Sequence, residues 1–246
     1  MMRAAAIYDI HGNLPALEAV LAEIRLAAPD VLVCGGDVLP GPMPRECMEL
    51  LLGLELPVRF IRGNGDRFVL ETMRGEVMEG LLEPVREVMR WNGEQITPEQ
   101  ERVIDGWPST LHLSIGGVGS VLFCHATPRS DTEIFTRLTP EQRLVPIFGE
   151  AGAEVVVCGH THMQFDRMIG RKRVVNAGSV GMPFGRPDAC WLMLGPGVEL
   201  KQTRYAFNAA ADQVRQTRYP DAEHFARHLL HPPTEEEMLK AYAARE

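Results

Sequence analysis

The chain has 246 residues, 45% of them apolar and 24% charged, the balance of an ordinary globular protein long enough to bury its own core. A formal net charge of −8 argues against a protein that coats nucleic acid or anionic membrane by electrostatics alone, because such proteins depend on basic faces. Small phosphorylated substrates stay open, since bound divalent cations would reverse the local sign.

Short β-favourable runs recur along the chain, at Ala4–Tyr8, Val31–Cys34, Val58–Ile61, Ser120–Cys124, Val155–Cys158 and Arg173–Val175. Several lack polar alternation, as strands covered on both faces do. Between the first two runs, Leu14, Leu17, Leu21 and Ile24 form one helical stripe with Pro15 in the first turn. A second helix is predicted over about Pro44–Leu52. Residues 68–106 read as an insert of about three helical segments, one of them opened by Thr97-Pro98-Glu99-Gln100. Thr139-Pro140-Glu141-Gln142 reads as a capping box for a helix whose Leu144, Ile147 and Phe148 face inward. The stretch from Gln164 to Asn176 reads as a hairpin turning near Gly170-Arg171. Strand–helix–strand alternation predicts an α/β domain over residues 1–205 with a largely parallel sheet. From residue 206 the chain is polar and helical, with Thr234-Glu235-Glu236-Glu237 as a last helix start. About 40 residues rarely form a core unaided, so this extension is expected to pack on the same domain.

The cysteines Cys34, Cys47, Cys124, Cys158 and Cys190 are widely spaced and form no C-x-x-C pair, which indicates neither a disulfide framework nor a zinc knuckle. No secretory signal is read at the amino end and no run is long enough to span a membrane, so a cytoplasmic location is expected.

Chemistry-bearing residues follow the strands. Ala4–Tyr8 runs into Asp9-Ile10-His11, Val31–Cys34 into Gly35-Gly36-Asp37, and Val58–Ile61 into Arg62-Gly63-Asn64-Gly65-Asp66. Ser120–Cys124 is followed by His125, and Val155–Cys158 by Gly159-His160-Thr161-His162. Carboxyl ends of parallel strands share one edge, where ligands bind in open α/β folds, so these turns are expected to meet in one crevice. Taken singly, a His after a strand or a Gly-Asp turn is ordinary loop chemistry. Their conjunction points to two divalent transition-metal ions, because imidazole and carboxylate together suit Mn, Fe, Zn, Ni or Co. Asp37 could bridge them, and the glycines beside Asp37, Asn64 and His160 let the backbone approach closely. His224 and His228 also have a metal-binding spacing, but no nearby Glu completes a catalytic pattern, and a solvated helix face is expected.

With Asp9-x-His11, Gly36-Asp37, Gly63-Asn64, His125 and Gly159-His160-Thr161-His162 in this order, the chain resembles the calcineurin-like metallophosphoesterase superfamily over about residues 3–180. The Asn176-Ala177-Gly178-Ser179 turn is similar to one in its small bacterial and archaeal members and is read as structural. The resemblance implies a four-layer α/β/β/α sandwich with the helical insert and the helical C-terminal extension added. It implies one metal held by Asp9, His11, Asp37 and His162, and a second by Asp37, Asn64, His125 and His160. It also implies a phosphodiesterase or broad phosphatase that attacks phosphorus in line with a metal-bridging hydroxide. Asn64, Arg62, Arg67 and Arg129 are candidates to contact the phosphoryl group. Many members carry a histidine where this chain has Gly65, and that histidine helps protonate the leaving group. Asp66 remains as a candidate catalytic group without it, so protonation is expected to be weak or supplied by solvent or substrate. The alternatives are a catalytically weak scaffold, as the retromer subunit of the same superfamily looks to be, and a nucleotide phosphodiesterase. The expected partner is a small phosphorylated substrate rather than extended nucleic acid or membrane, with a homo-oligomer left open.

Overall fold

The computed structural model describes residues 1–76 and 82–245. The first apolar runs become β1 (Ala4–Ile7) and β2 (Val31–Cys34), buried at every position, and β3 (Val58–Phe60) lies beside β2. They form a parallel ladder with Ala4 opposite Val31 and Leu32 opposite Val58. Parallel neighbours need a crossover, which α1 (Leu14–Ala27) and α2 (Pro44–Leu52) provide. The predicted insert takes in the end of α3 (Asn64–Met73), which starts four residues ahead of it, and all of α4 (Glu83–Gln95) and α5 (Pro98–Asp105); its residues 77–81 lie outside the described residues.

A second sheet follows, built from β4 (Thr110–Ile115), β5 (Gly119–Cys124), β6 (Val155–Cys158) and the hairpin β7 (Phe165–Ile169) and β8 (Lys172–Asn176), with α6 (Glu141–Phe148) between β5 and β6. The chain then returns to the first sheet with β9 (Ala189–Leu194) and β10 (Val198–Thr203). It ends in α7 (Phe207–Gln216), α8 (Ala222–Leu230) and α9 (Glu235–Ala243). The strand orders are β10-β9-β1-β2-β3 and β4-β5-β6-β8-β7. The two β layers implied by the resemblance are two five-stranded mixed sheets: β1, β2 and β3 run parallel, with β9 antiparallel to β1 and β10 antiparallel to β9, and in the second sheet β5, β6 and β8 run parallel between antiparallel β4 and β7. Among the described residues no helix is long and apolar enough to cross a membrane.

Alternation along the strands sorts the core. Ala4, Ala6, Tyr8, Val31 and Val33 share one buried cluster with Val121, Phe123, Val155, Val157 and Val175, so a face of each sheet packs on the other. The opposite face of the first sheet (Ala5, Ile7, Leu32, Cys34) packs on residues of α1, α2 and α3. Leu122, Cys124, Val156, Cys158 and Val174 pack on Leu144 and Phe148 of α6. Ala210, Ala211, Val214, Phe225 and Leu229 of the C-terminal helices bury with Met43 and with half-buried Val88 and Trp91 of α4. All five cysteines are buried and unpaired.

Two of the three predicted helix starts hold. Thr97 and Thr234 each accept from the backbone N–H three residues on, and Gln100 and Glu237 reach back. The predicted Thr139 box does not form. Thr139 Oγ1 accepts from Thr136 N–H at 2.8 Å, and Glu141 accepts from Gly170 N–H at 2.8 Å, so both side chains serve the neighbouring turn and hairpin. His228 also departs from expectation: it is buried and donates to the Pro183 carbonyl at 3.0 Å, while His224 is exposed beside Asp221.

The Gln164 side-chain amide joins the two sheets, donating to the carbonyls of Ala177 (3.1 Å), Trp191 (3.2 Å) and Lys201 (3.1 Å). Removing it leaves part-buried carbonyls unpaired. Gln164→Ala should lower stability by about 1–3 kcal/mol, read as a fall in the urea midpoint at constant m.

Candidate metal centre

The loops after β1, β2, β3, β5 and β6 remain hydrogen-bonded to one another beyond the strands. Asp9 N–H donates to Gly36 O (3.1 Å), His11 N–H to Asp37 O (3.0 Å), and Gly159 N–H to His125 O (2.8 Å). Tyr8, fully buried, spans the two sheets by donating to the Val157 carbonyl at 3.1 Å. Its ring fits only because Gly35 and Gly159 flank it, since a Cβ at either would stand 2.0 or 2.6 Å from ring carbons. Gly159 makes room for Asp9 as well, whose Oδ2 would stand 2.5 Å from that Cβ.

Six non-glycine residues among those described have positive φ, and five are Asp9 (53°), His11 (47°), Asp37 (53°), His160 (65°) and His162 (57°). The left-handed region costs an L-residue roughly 1–2 kcal/mol. Such strain concentrates where surrounding structure enforces a functional geometry.

The side chains converge in two overlapping groups, Asp9 with His11 and His162, and Asp9 with Asp37 and His125. In the first, His11 Nε2 is 3.1 Å from His162 Nε2, and His162 Nε2 is 3.4 Å from Asp9 Oδ1. In the second, His125 Nε2 is 3.5 Å from Asp37 Oδ2 and 3.8 Å from Asp9 Oδ1. Asp37 Oδ2 is also 3.8 Å from His11 Nε2, so both acids border both groups. Asn64 and His160 complete the second side. The Asn64 amide oxygen faces His125 Nε2 at 3.1 Å and His160 Nδ1 at 2.9 Å.

This arrangement lacks a positive charge. Nδ1 of His11, His125 and His162 each meet a carbonyl, of Pro40 (3.2 Å), Gly35 (2.9 Å) and Met182 (2.8 Å) respectively. Each can donate there, and in that tautomer its Nε2 lone pair is turned to the centre. Asp9 Oδ1 is buried with no hydrogen bond, whereas its Oδ2 accepts from His160 N–H at 2.8 Å. Converging unpaired acceptors of N and O type are the donor set of a cation site. Burial pulls His125 down, but Asp37 and Asp9 outweigh it and push its pKa to about 10. Burial raises Asp37, and the His125 charge more than reverses that, holding the carboxyl well below the usual range. His160 falls to about 4 through burial and the neighbouring His125 charge.

The other candidates divide. Asp66, the candidate catalytic group, is fully buried and accepts from the backbone N–H groups of Asp37 (2.8 Å), Leu39 (3.0 Å) and Gly63 (3.0 Å). Burial and then Asp37 push its carboxyl up to about 7, yet every one of these neighbours is a donor, which only acceptor oxygens satisfy. Asp66 is thus an anchor that fixes the Asp37 loop. Arg67 forks onto Asp131 (2.7 and 3.0 Å) and also pairs with Glu71 (2.8 Å), and Arg129 pairs with Glu133. Arg62 is loosely held, 3.8 Å from Asp105. Arg62 and Arg129, but not Arg67, line a cleft of ≈ 280 Å³ beside His125. A second cleft of ≈ 230 Å³ adjoins His162 and is lined by Phe184, Arg186 and Glu235. Phe184, unforeseen from sequence, stacks on the His162 ring at 5.4 Å between centroids. The Asn176–Gly181 turn is structural, as read: Asn176 donates to Gly159 O (2.7 Å) and Ser179 to Asp9 O (2.7 Å).

Gly65 has a steric cause. Its N–H donates to Asp37 Oδ1 at 2.7 Å, and a Cβ there would stand 2.4 Å from the Leu39 carbonyl oxygen and 2.7 Å from Pro40 Cδ. A histidine at 65 has no room in this backbone. Gly65→His should therefore destabilise the protein by about 1–3 kcal/mol and supply no catalytic gain, checked by denaturant melts and turnover. Mn²⁺ at about a hundredfold over its dissociation constant should raise stability by about 2.7 kcal/mol, seen as a higher Tm that chelator abolishes. In Asp9→Asn the rise should shrink or vanish.

The sequence profile of the calcineurin-like phosphoesterase superfamily domain matches residues 2–195. The chain is 27% identical to the uncharacterised protein MJ0912 of Methanocaldococcus jannaschii, covering 88% of this chain and 93% of that one. The fold is similar to hypothetical protein PH1004 of Pyrococcus horikoshii, with TM-score 0.80, 21% identity and coverage of 95% and 100%. It is also similar to a metallophosphoesterase of Sphaerobacter thermophilus, with TM-score 0.72, 24% identity and coverage of 94% and 99%. The paired mixed sheets, the ligand-bearing strand ends and the family match agree: the chain belongs to the calcineurin-like phosphoesterase superfamily.

Proposed function

We propose that the chain is a dinuclear metal-dependent phosphoesterase acting on a small phosphorylated substrate. Asp9, His11, Asp37 and His162 would hold one divalent ion, and Asp37, Asn64, His125 and His160 the other. The observation that carries this reading is the convergence of three Nε2 lone pairs on the orphaned Asp9 Oδ1. Imidazole with carboxylate suits Mn, Fe, Zn, Ni or Co alike, so the resident metals follow availability as much as ligand type. When bound, such ions activate a water at neutral pH and offset charge developing on the phosphoryl oxygens.

The chain's own groups do the remainder. The carbonyls of Pro40, Gly35 and Met182 hold three imidazoles in one tautomer, and Asp66 fixes the Asp37 loop through its backbone N–H groups. Arg62 and Arg129 give the His125 cleft a cationic rim that favours an anionic ester despite the acidic chain. Buried free thiols fit a reducing compartment, and we infer a cytoplasmic location.

Purified protein with Mn²⁺ should hydrolyse bis(p-nitrophenyl) phosphate, and Asp37→Ala should lower the rate by at least about 100-fold, the scale reached even by mutating groups behind metal ligands. Equal rates for the two proteins would sink the reading. A panel of phosphomonoesters, phosphodiesters and nucleotides then ranks the substrate classes.

A further inference from the structure

Clefts border the metal centre beside His125 and beside His162, and the arginines around them are unequally committed. On the His125 side Arg129 is tied to Glu133, and Arg67, just outside that cleft, to Asp131 and Glu71. Arg62 shares Asp105 with Arg74, which holds that carboxylate at 2.7 Å. Beside His162, Arg186 lines the cleft of ≈ 230 Å³. Among the described residues its guanidinium has no hydrogen bond and no ion pair.

The neighbours of Arg186 in that cleft already have partners. Glu235 pairs with Arg137 at 2.7 Å, which offsets its charge. The Gln164 amide nitrogen serves three carbonyls, and its oxygen accepts from Gln202 Nε2 at 3.2 Å. The Cys190 thiol donates to the Asp188 carbonyl at 3.5 Å. Phe184 adds an aromatic wall that stacks on the ring of His162. A group entering beside His162 therefore meets an apolar ring and an uncommitted cation. The Arg186 side chain is exposed, but the backbone before it is fixed: His228 donates to Pro183 O at 3.0 Å, and Gly185 N–H to Pro233 O at 2.9 Å. Binding there orders one side chain rather than a loop, which keeps the entropic cost small.

We propose that Arg186 is a specificity-determining residue that binds a second anionic group, a carboxylate or a phosphate, on the organic arm of the ester at the metal centre. The inference rests on the phosphoesterase reading above and gives it a substrate class: esters that carry an acid group besides the scissile phosphate. The scissile phosphate faces the ligand residues, the arm runs past His162 along Phe184, and its acid end meets the guanidinium. A planar fork of N–H donors matches carboxylate and phosphate alike.

The test compares full-length, Mn²⁺-loaded wild type, Arg186→Ala and Arg186→Glu. Calorimetry reads the binding of non-hydrolysable alkylphosphonates whose arms, two to four methylenes long, end in methyl, carboxylate or phosphonate. At the arm length that fits, wild type should bind an acid-ended arm about 10-fold more tightly than the methyl-ended one, the low end for a hydrogen bond between charged groups. In Arg186→Ala that ratio should fall below about 2-fold, and in Arg186→Glu the methyl arm should be preferred. The guanidinium touches nothing else, so Tm and bound metal should match wild type in both variants. With the corresponding phosphomonoesters and p-nitrophenyl phosphodiesters, the same preference should appear in KM, with kcat within about 2-fold across the arms, as uniform binding requires. No preference for an acid arm at any length overturns the proposal, as does a preference that Arg186→Ala retains, which would belong to the metal ions. A wild type inactive on every ester with every metal overturns the phosphoesterase reading itself, and this inference with it.

Discussion

Two carboxylates, Asp9 and Asp37, lie buried within reach of the same imidazoles, and most of the local structure follows from accommodating them. An isolated buried ion costs several kcal/mol unless paired and hydrogen-bonded. The chain supplies backbone donors to one oxygen of each, His160 N–H to Asp9 and Gly65 N–H to Asp37. The second oxygens are left facing lone pairs. That half-satisfied arrangement is the one a cation site calls for.

The geometry is enforced rather than relaxed. Asp9, His11, Asp37, His160 and His162 all occupy the left-handed region, and backbone hydrogen bonds from Asp9 to Gly36, from His11 to Asp37 and from Gly159 to His125 tie their loops together. Asp66 acts at one remove, since its carboxylate gathers the N–H groups of Gly63, Asp37 and Leu39 and so sets the β2 and β3 loops together. The same close approach explains Gly65, because loop 39–40 fills the space beside it. Loss of a side chain there and tight anchoring of Asp37 are one packing decision.

The ligand-type residues were legible in sequence because each follows a strand, and strand ends converge whatever the sheet count. The late return of the chain to the first sheet was not legible in the local pattern. β9 is an unbroken apolar run like the central strands, and its antiparallel return to β1 leaves no local signature. Thr139 matched a capping pattern, but its hydroxyl serves a turn three residues back, a competition that spacing cannot decide. Asp66 carried the right residue type for catalysis, and only its backbone partners reveal another use. His228 looked solvated on helical spacing until the Pro183 loop covered it.

Strain at His162 connects the shared fold to its C-terminal extension. A left-handed residue persists only when its surroundings over-determine it. His162 is held at Nδ1 by the Met182 carbonyl and on its face by Phe184. That segment is fixed in turn by Ser179 accepting from Met182 N–H, by His228 on Pro183 and by the Pro233 carbonyl on Gly185. Two of those restraints come from beyond residue 195. The helices that look appended in sequence therefore share in holding the segment against which the strained His162 imidazole is set.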